Sequence, residues 1–271
     1  MGMLDGQVAI VTGAAVGLGN QYARALAAEG ANVAVCDIRS EIEQLAPELE
    51  AAGVKALAFV ADVSRPADVR LVVDGTIAAW GRIDVLISNA GIWRGTAPTD
   101  DLDKSLDDYD AVIGTNLKGV YMFGRAVIPH MIAGGGGNII NIASDHIHTH
   151  PGRPTGGGPG MDLYDASKWA INGYTIAWAK ALKQHNIRVN AFCMGATDSY
   201  MLRSFHNFQA PPEMVATWMT AQEVCDLAIQ LIRDGPDGRT GENIPAWVGF
   251  EVELAPQPRA KQSWLVAQEA K

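Results

Sequence analysis

The chain has 271 residues, 48% hydrophobic and 19% charged, a composition that supports a sizeable core and excludes disorder, collagen and coiled coil for its body. Lysine and arginine total 21 against 30 aspartates and glutamates, giving a formal charge of −9 with no basic block. That balance disfavours nucleic acid and anionic membrane as partners.

The first strand is read over Gln7–Val11, followed by the glycine-punctuated turn Gly13–Gly19 and a helix over Gln21–Ala28. A second strand covers Asn32–Cys36 and closes on Asp37. The alternation continues with a helix near Glu41–Ala52, a strand at Val54–Val60, a helix near Ala67–Trp80 and a strand at Ile83–Ile87. A long helix fits Ser105–Met131, with Pro129 bending or shortening its last turn. Then come a strand at Asn138–Ile142, a helix at Leu163–Gln184 and a strand at Ile187–Phe192. A looser segment, Thr197–Trp218, precedes a helix at Ala221–Ile232 and a last strand near Glu242–Trp247. Apolar strands separated by helical segments predict an α/β fold: a Rossmann-like, doubly wound sheet of seven parallel strands with helices on both faces. Residues 1–250 read as one catalytic domain, and 251–271 as a tail that is either disordered or an oligomer arm. His146–Gly160, rich in glycine and proline, reads as an exposed loop.

Cys36, Cys193 and Cys225 lie far apart in apolar or helical contexts, the pattern of reduced core thiols rather than of a disulfide framework or a metal site. The start of the chain lacks a basic flank with an apolar signal core, and no apolar run reaches membrane length. A cytoplasmic protein is expected.

Thr12-Gly13-Ala14-Ala15-Val16-Gly17-Leu18-Gly19 joins the first strand to the first helix. Glycines there let the backbone approach a pyrophosphate, and the helix start offers amides and a positive dipole end. The spacing is GxxxGxG, related to the GxGxxG dinucleotide fingerprint, and taken alone it also serves a simple strand-to-helix connection. Asp37, ending the second strand, can accept both hydroxyls of an adenosine ribose and repel a 2′-phosphate, which favours NAD over NADP despite the nearby Arg39. Asp62-Val63 and Asn89-Ala90-Gly91 stand at the carboxyl ends of the third and fourth strands, at the cofactor side of such a sheet.

Tyr164 and Lys168, four apart in a helical segment, share one face. An ammonium beside a phenol lowers its pKa and supplies an acid/base near neutrality, although such a pair is equally at home on a solvated helix. Ser144, after the fifth strand, stands at the same sheet end and can hold a substrate oxygen. Asn116, a poor helix former inside the long helix, is a candidate for a ligand or water contact.

In this order the residues resemble the short-chain dehydrogenase/reductase family in its one-domain form, from about Leu4 to Trp247. Thr12, Gly13, Gly17 and Gly19 match its cofactor turn, Asn89-Ala90-Gly91 its motif after the fourth strand, and Asn116, Ser144, Tyr164 and Lys168 its catalytic tetrad. The resemblance implies that Tyr164 is the general acid/base, that Lys168 binds the nicotinamide ribose and tunes the tyrosine, that Ser144 positions the substrate oxygen, and that Asn116 holds a water relaying protons. Asn190 and the segment from Gly195 through Thr197 to Ser199 resemble the region that closes over nicotinamide; Leu18 falls in the cofactor turn. Met194-Gly195 stands where the family usually has Pro-Gly.

Ser144 and Tyr164 are 20 positions apart, more than the family usually has. His146, His148 and His150 fall in the extra length; a substrate-loop role suits His146 and His148, hydrogen bonds from this loop to a second substrate oxygen keep a polyol or sugar open as substrate, and no metal site is expected. Ile92, Trp93, Arg94 and the apolar residues Tyr200, Met201, Leu202, Phe205, Phe208, Met214 and Trp218 are expected at the substrate wall. The reading is an NAD(H)-dependent oxidoreductase interconverting a secondary alcohol and its ketone, hydrophobic or cyclic, with Arg94 and Arg203 as the features that would instead suit a carboxylated substrate. The alternatives are an NADPH-dependent 3-oxoacyl-thioester reductase and a non-catalytic NAD-binding module. A homotetramer or homodimer is expected through the two long helices, which carry Met122, Phe123, Trp169 and Trp178.

Overall fold

The computed structural model describes residues 2–147 and 156–248. Among these, the strands are β1 (Val8–Thr12), β2 (Asn32–Asp37), β3 (Ala56–Val60), β4 (Val85–Ser88), β5 (Gly137–Ile142), β6 (Ile187–Met194) and β7 (Asn243–Ala246). The helices are α1 (Gly17–Ala28), α2 (Ile42–Glu50), α3 (Pro66–Trp80), α4 (Leu102–Ile113), α5 (Gly119–Ala133), α6 (Asp162–Leu182), α7 (Tyr200–Phe205), α8 (Pro212–Val215) and α9 (Ala221–Arg233).

Successive strand residues point to opposite faces, and here both faces are covered, so the strands are apolar on both sides rather than alternating. Val11, Val35, Ile87 and Ile142 pack beneath α1, α2 and α9. Ile10, Ala34, Leu86 and Ile139 pack on the other face beneath α3, α5 and α6. All pairings are parallel, in the order β3-β2-β1-β4-β5-β6-β7. The chain therefore leaves β1 in two directions, and the crevice of a doubly wound sheet opens at the carboxyl ends of β1 and β4.

The expected long helix starts earlier than predicted and is not uniform. A π-turn, Gly114–Lys118, joins α4 to α5 and carries the fully buried Asn116. Pro129 does not shorten α5, which runs to Ala133 before the four glycines Gly134–Gly137. β6 is longer than predicted and contains Asn190, whose amide donates to the Arg239 carbonyl at 2.8 Å and whose carbonyl accepts from Glu242 at 3.2 Å. Asn190 thus pins the approach to β7 instead of bordering the nicotinamide region. The looser segment holds α7 and α8, both too short for a helical hydrophobic period to show in sequence.

Of the residues expected on an assembly face, Phe123 is core, and Met122 and Trp178 are half-buried against it. Gly124 makes the room: a Cβ there would stand 2.2 Å from the Trp178 ring. Trp169 alone of the four is exposed. All three cysteines are buried and unbridged, and burial pushes the Cys225 thiol up to about 12. His148, His150 and the tail from 251 lie outside the described residues. No described helix is long and apolar enough to cross a membrane.

Candidate active site

Gly13 and Gly17 adopt φ of +66° and +62°, a region that L side chains rarely enter. Gly19 answers to space instead, since a Cβ there would lie 2.1 Å from the Gly13 carbonyl oxygen. The turn ends on α1, whose N-cap, Val16, offers no side-chain bond to the first amides. Those amides and the positive helix end are left facing the crevice, a cradle suited to a pyrophosphate.

The turn is tied to the strands beside it. Thr12 Oγ1 accepts from the Asn89 and Ala90 amides at 3.0 Å each. Asn89 Nδ2 returns two bonds to the Thr12 and Gly13 carbonyls, both 3.0 Å. Thr12 and Gly19 therefore stand behind the wall, holding it, while Gly13, Gly17, Leu18, Asn89, Ala90 and Gly91 line it. At the far end Asp37 accepts from the Ala15 amide through Oδ2 and the Arg39 amide through Oδ1, 3.0 Å each. Each carboxylate oxygen keeps a further lone pair for a ribose hydroxyl. Asp62 and Val63 follow at the same wall. The donor set fits a dinucleotide.

The cleft, about 700 Å³ over its whole length, continues past Gly91, where Ser144, Tyr164, Lys168, Gly195, Thr197 and Ser199 border it. Ser144, just beyond β5, sets its hydroxyl beside the Tyr164 phenol, and its Oγ donates to Asp145 Oδ1 at 3.3 Å. Burial pushes that phenol up to about 12; the Ser144 hydroxyl opposes the shift, and the charges of Asp145 and Asp165 add to it. Lys168 lies within α6 with Nζ 5.5 Å from the Tyr164 ring centre, and burial holds the lysine down to about 8. The expected lowering of the phenol by Lys168 is not seen: one donor of the lysine bonds the Ile142 carbonyl at 2.7 Å, and desolvation dominates the tyrosine.

Asn116 also works from behind the wall. Its Oδ1 accepts from the Ile92 amide at 2.8 Å, while Nδ2 donates to the Ile92 carbonyl at 2.9 Å and to Ser167 Oγ at 3.0 Å. Ser167 in turn donates to the Tyr164 carbonyl at 2.7 Å, so the π-turn braces both the segment after β4 and the tyrosine helix. π-turns often mark functional sites. Nothing in the spacing of Asn116 pointed to Ser167.

Ile92, Trp93, Arg94, Tyr200, Met201, Leu202 and Phe205 line the same cleft, Tyr200 beside the glycine turn at Gly17. Trp93 meets Phe205 edge-on at 4.6 Å, and Tyr200 lies under the Arg39 guanidinium at 4.6 Å. Three expected wall residues fall elsewhere: Phe208 packs on Tyr200 outside the cleft, Met214 is exposed, and Trp218 is buried beside His206. Sequence reasoning missed Asp108 and Asp198, partners of the two arginines. Arg94 pairs with Asp108 at 2.8 Å, and Arg203 grips Asp198 with both arms, one at 2.7 Å. No group of three or more metal-ligating side chains that could hold an ion occurs among the described residues.

A parallel sheet with a glycine cradle at its switch point and a Ser/Tyr/Lys cluster opposite defines a nicotinamide-dinucleotide oxidoreductase of the Rossmann-like class. The family model described as short chain dehydrogenase matches residues 7–210, and the chain belongs to the short-chain dehydrogenase/reductase family. It is 40% identical over 225 residues to the oxidoreductase UcpA of Escherichia coli (strain K12), covering 81% of each chain. Among solved structures, it is similar to a short chain dehydrogenase from Burkholderia cenocepacia J2315 in complex with NADP, with a TM-score of 0.75 and 30% identity over 89% of this chain and 96% of that one. It is also similar to a 7α-hydroxysteroid dehydrogenase complexed with NADH and 7-oxo glycochenodeoxycholic acid, with a TM-score of 0.78 and 26% identity over 93% and 96% of the two chains.

Proposed function

We propose that the protein is a homo-oligomeric cytoplasmic enzyme that interconverts a secondary alcohol and its ketone with NAD(H), its substrate being neutral and mostly hydrophobic or cyclic. The observation that carries this reading is the convergence of Ser144, Tyr164 and Lys168 on one cleft with the Gly13–Gly19 cradle and Asp37. The bound dinucleotide would supply the hydride acceptor or donor. Tyr164 would take the hydroxyl proton in oxidation and return it in reduction, and Ser144 would hold the substrate oxygen beside it. Lys168 would hold the ribose next to the nicotinamide, and Asn116 would keep the wall of Ile92 and the tyrosine helix in register.

NAD is favoured over NADP because Asp37 presents a carboxylate where a 2′-phosphate would have to sit. The substrate end supports a neutral compound. Ile92, Trp93, Met201, Leu202 and Phe205 supply apolar wall, while Arg94 and Arg203 already neutralise Asp108 and Asp198. A carboxylated substrate would have to share a guanidinium with the acid that already holds it.

The test is a panel of cyclic and steroidal secondary alcohols followed by NAD reduction. Tyr164→Phe should lower turnover of an accepted alcohol by about a hundredfold or more, the range of a lost general acid/base. Full turnover by that variant would remove the proton-transfer role. Tight NAD binding without turnover of any alcohol or ketone would favour the binding-module reading instead.

A further inference from the structure

The lengthened connection from Ser144 to Tyr164 is where this chain departs from its family's usual spacing, and its two described ends meet at one side chain. His146 sits in the 3-10 turn Asp145–Ile147, lines the cleft, and turns its ring edge-on to Tyr164 with centroids 5.8 Å apart. Its Nδ1 lies 2.6 Å from Asp165 Oδ1. The second oxygen of Asp165 accepts the Gly157 amide at 2.7 Å, and the His146 carbonyl accepts the Gly156 amide at 2.8 Å. Ring and backbone are thus both clamped, and the His146 side chain is only 16% exposed.

A carboxylate can only accept, so in the neutral ring the proton sits on Nδ1 and the lone pair on Nε2. Nε2 is 3.9 Å from Asp145 Oδ1, outside hydrogen-bonding reach. In that form the ring, which lines the cleft beside the phenol that serves the reacting oxygen, offers an oriented acceptor at Nε2. Neither a hydrophobic wall nor the Ser144/Tyr164/Lys168 cluster needs it.

We propose, resting on the oxidoreductase reading above, that His146 is a specificity-determining residue whose Nε2 accepts a hydrogen bond from a second hydroxyl of the substrate, on the carbon adjoining the one that reacts. Asp165 is its positioning residue, fixing the tautomer and the ring. The substrate class is a neutral vicinal diol or the matching α-hydroxy ketone, with the apolar remainder against Trp93 and Phe205. A site that hydrogen-bonds a hydroxyl discriminates against an analogue lacking it far better than an apolar pocket discriminates by size.

The experiment compares kcat/KM with NAD for trans-cyclohexane-1,2-diol, trans-2-methoxycyclohexanol and cyclohexanol, in the wild type and His146→Ala. It is paired with 15N imidazole spectra of the NAD-loaded wild type titrated with the same three compounds. The wild type should favour the diol over the methoxy compound about tenfold or more, the value of one good hydrogen bond. In His146→Ala that ratio should fall to near one, and the Nε2 resonance should move with the diol alone. If His146 merely staples the loop, the variant lowers all three rates and keeps the ratio, which overturns the proposal. A wild type without preference, or an Nε2 signal that ignores the diol or responds equally to cyclohexanol, overturns it too. Absence of NAD-linked turnover with every alcohol and ketone falls on the oxidoreductase reading, while the spectra still decide whether His146 receives the hydroxyl.

Discussion

Lys168 Nζ donates to the main-chain carbonyl of Ile142 at 2.7 Å, planting the ammonium of α6 at the end of β5. Side chain and carbonyl are 26 positions apart, and the bond is buried. One contact thereby joins the tyrosine helix to the strand that leads to Ser144.

This placement has a thermodynamic cost with a definite sign. Burial holds Lys168 down to about 8, below the 10.5 of an ordinary lysine. Between those pH values the unfolded chain holds a proton that the folded one does not, so this group's penalty is full below pH 8 and fades as pH rises. Lys168→Met should therefore gain its stability advantage at neutral pH, partly offset by the Ile142 carbonyl left without its donor. Urea unfolding at pH 7, 8, 9 and 10 should show the difference between variant and wild type shrinking by about 2–3 kcal/mol. The difference is the quantity to follow, because the raised thiols of Cys36, Cys193 and Cys225 lower the stability of both proteins as pH climbs. A difference that stays constant would show that the ammonium is not desolvated.

Cofactor choice should rest on Asp37. The wild type is expected to use NADH with a kcat/KM far above that for NADPH. Asp37→Ser keeps a hydroxyl to accept the Ala15 amide, removes the charge, and leaves Arg39 free to meet a phosphate. The NADPH-to-NADH ratio should rise about ten- to a hundredfold, as expected for relieving one like-charge contact in a partly desolvated site. An unchanged ratio would move the selectivity to some other residue.

Assembly should use the outer faces of α4, α5 and α6. Leu106, Tyr109, Tyr121, Trp169 and Ile176 are all large, apolar and more than a third exposed, a density of apolar surface typical of an interface. Light scattering should give a dimer or tetramer mass, and Trp169→Glu should lower it by placing a charge in the contact. A mass near 29 kDa for the wild type across a wide concentration range would reject the assembly.

How much of this was legible beforehand follows from what kind of interaction each feature depends on. The order of strands and helices could be read because a parallel sheet covered on both faces demands short apolar runs between helical segments, and Val8–Thr12 through Ile187–Met194 supply them. The cofactor turn could be read because Gly13 and Gly17 meet a backbone requirement that is local to the chain. Tyr164 and Lys168 could be paired because their helical spacing places them on one face.

Partnerships across the fold left no such mark. His146 and Asp165 are 19 positions apart, Arg94 and Asp108 are 14, and Asn116 and Ser167 are 51, and each distance is closed only by the way the crossovers pack. Phe123 and Trp169 are both large aromatic residues within long helices, yet one faces the sheet and the other faces outward, a difference set by helix rotation. The sequence by itself therefore determined the fold, the cradle and the order of the chemical groups, all of which arise from periodicity and local backbone conformation. Only the tertiary structure decided which charges are already neutralised, which polar groups stand behind the wall, and which imidazole nitrogen a carboxylate holds, because a side chain's electrostatic state depends on neighbours that the chain brings near only by folding.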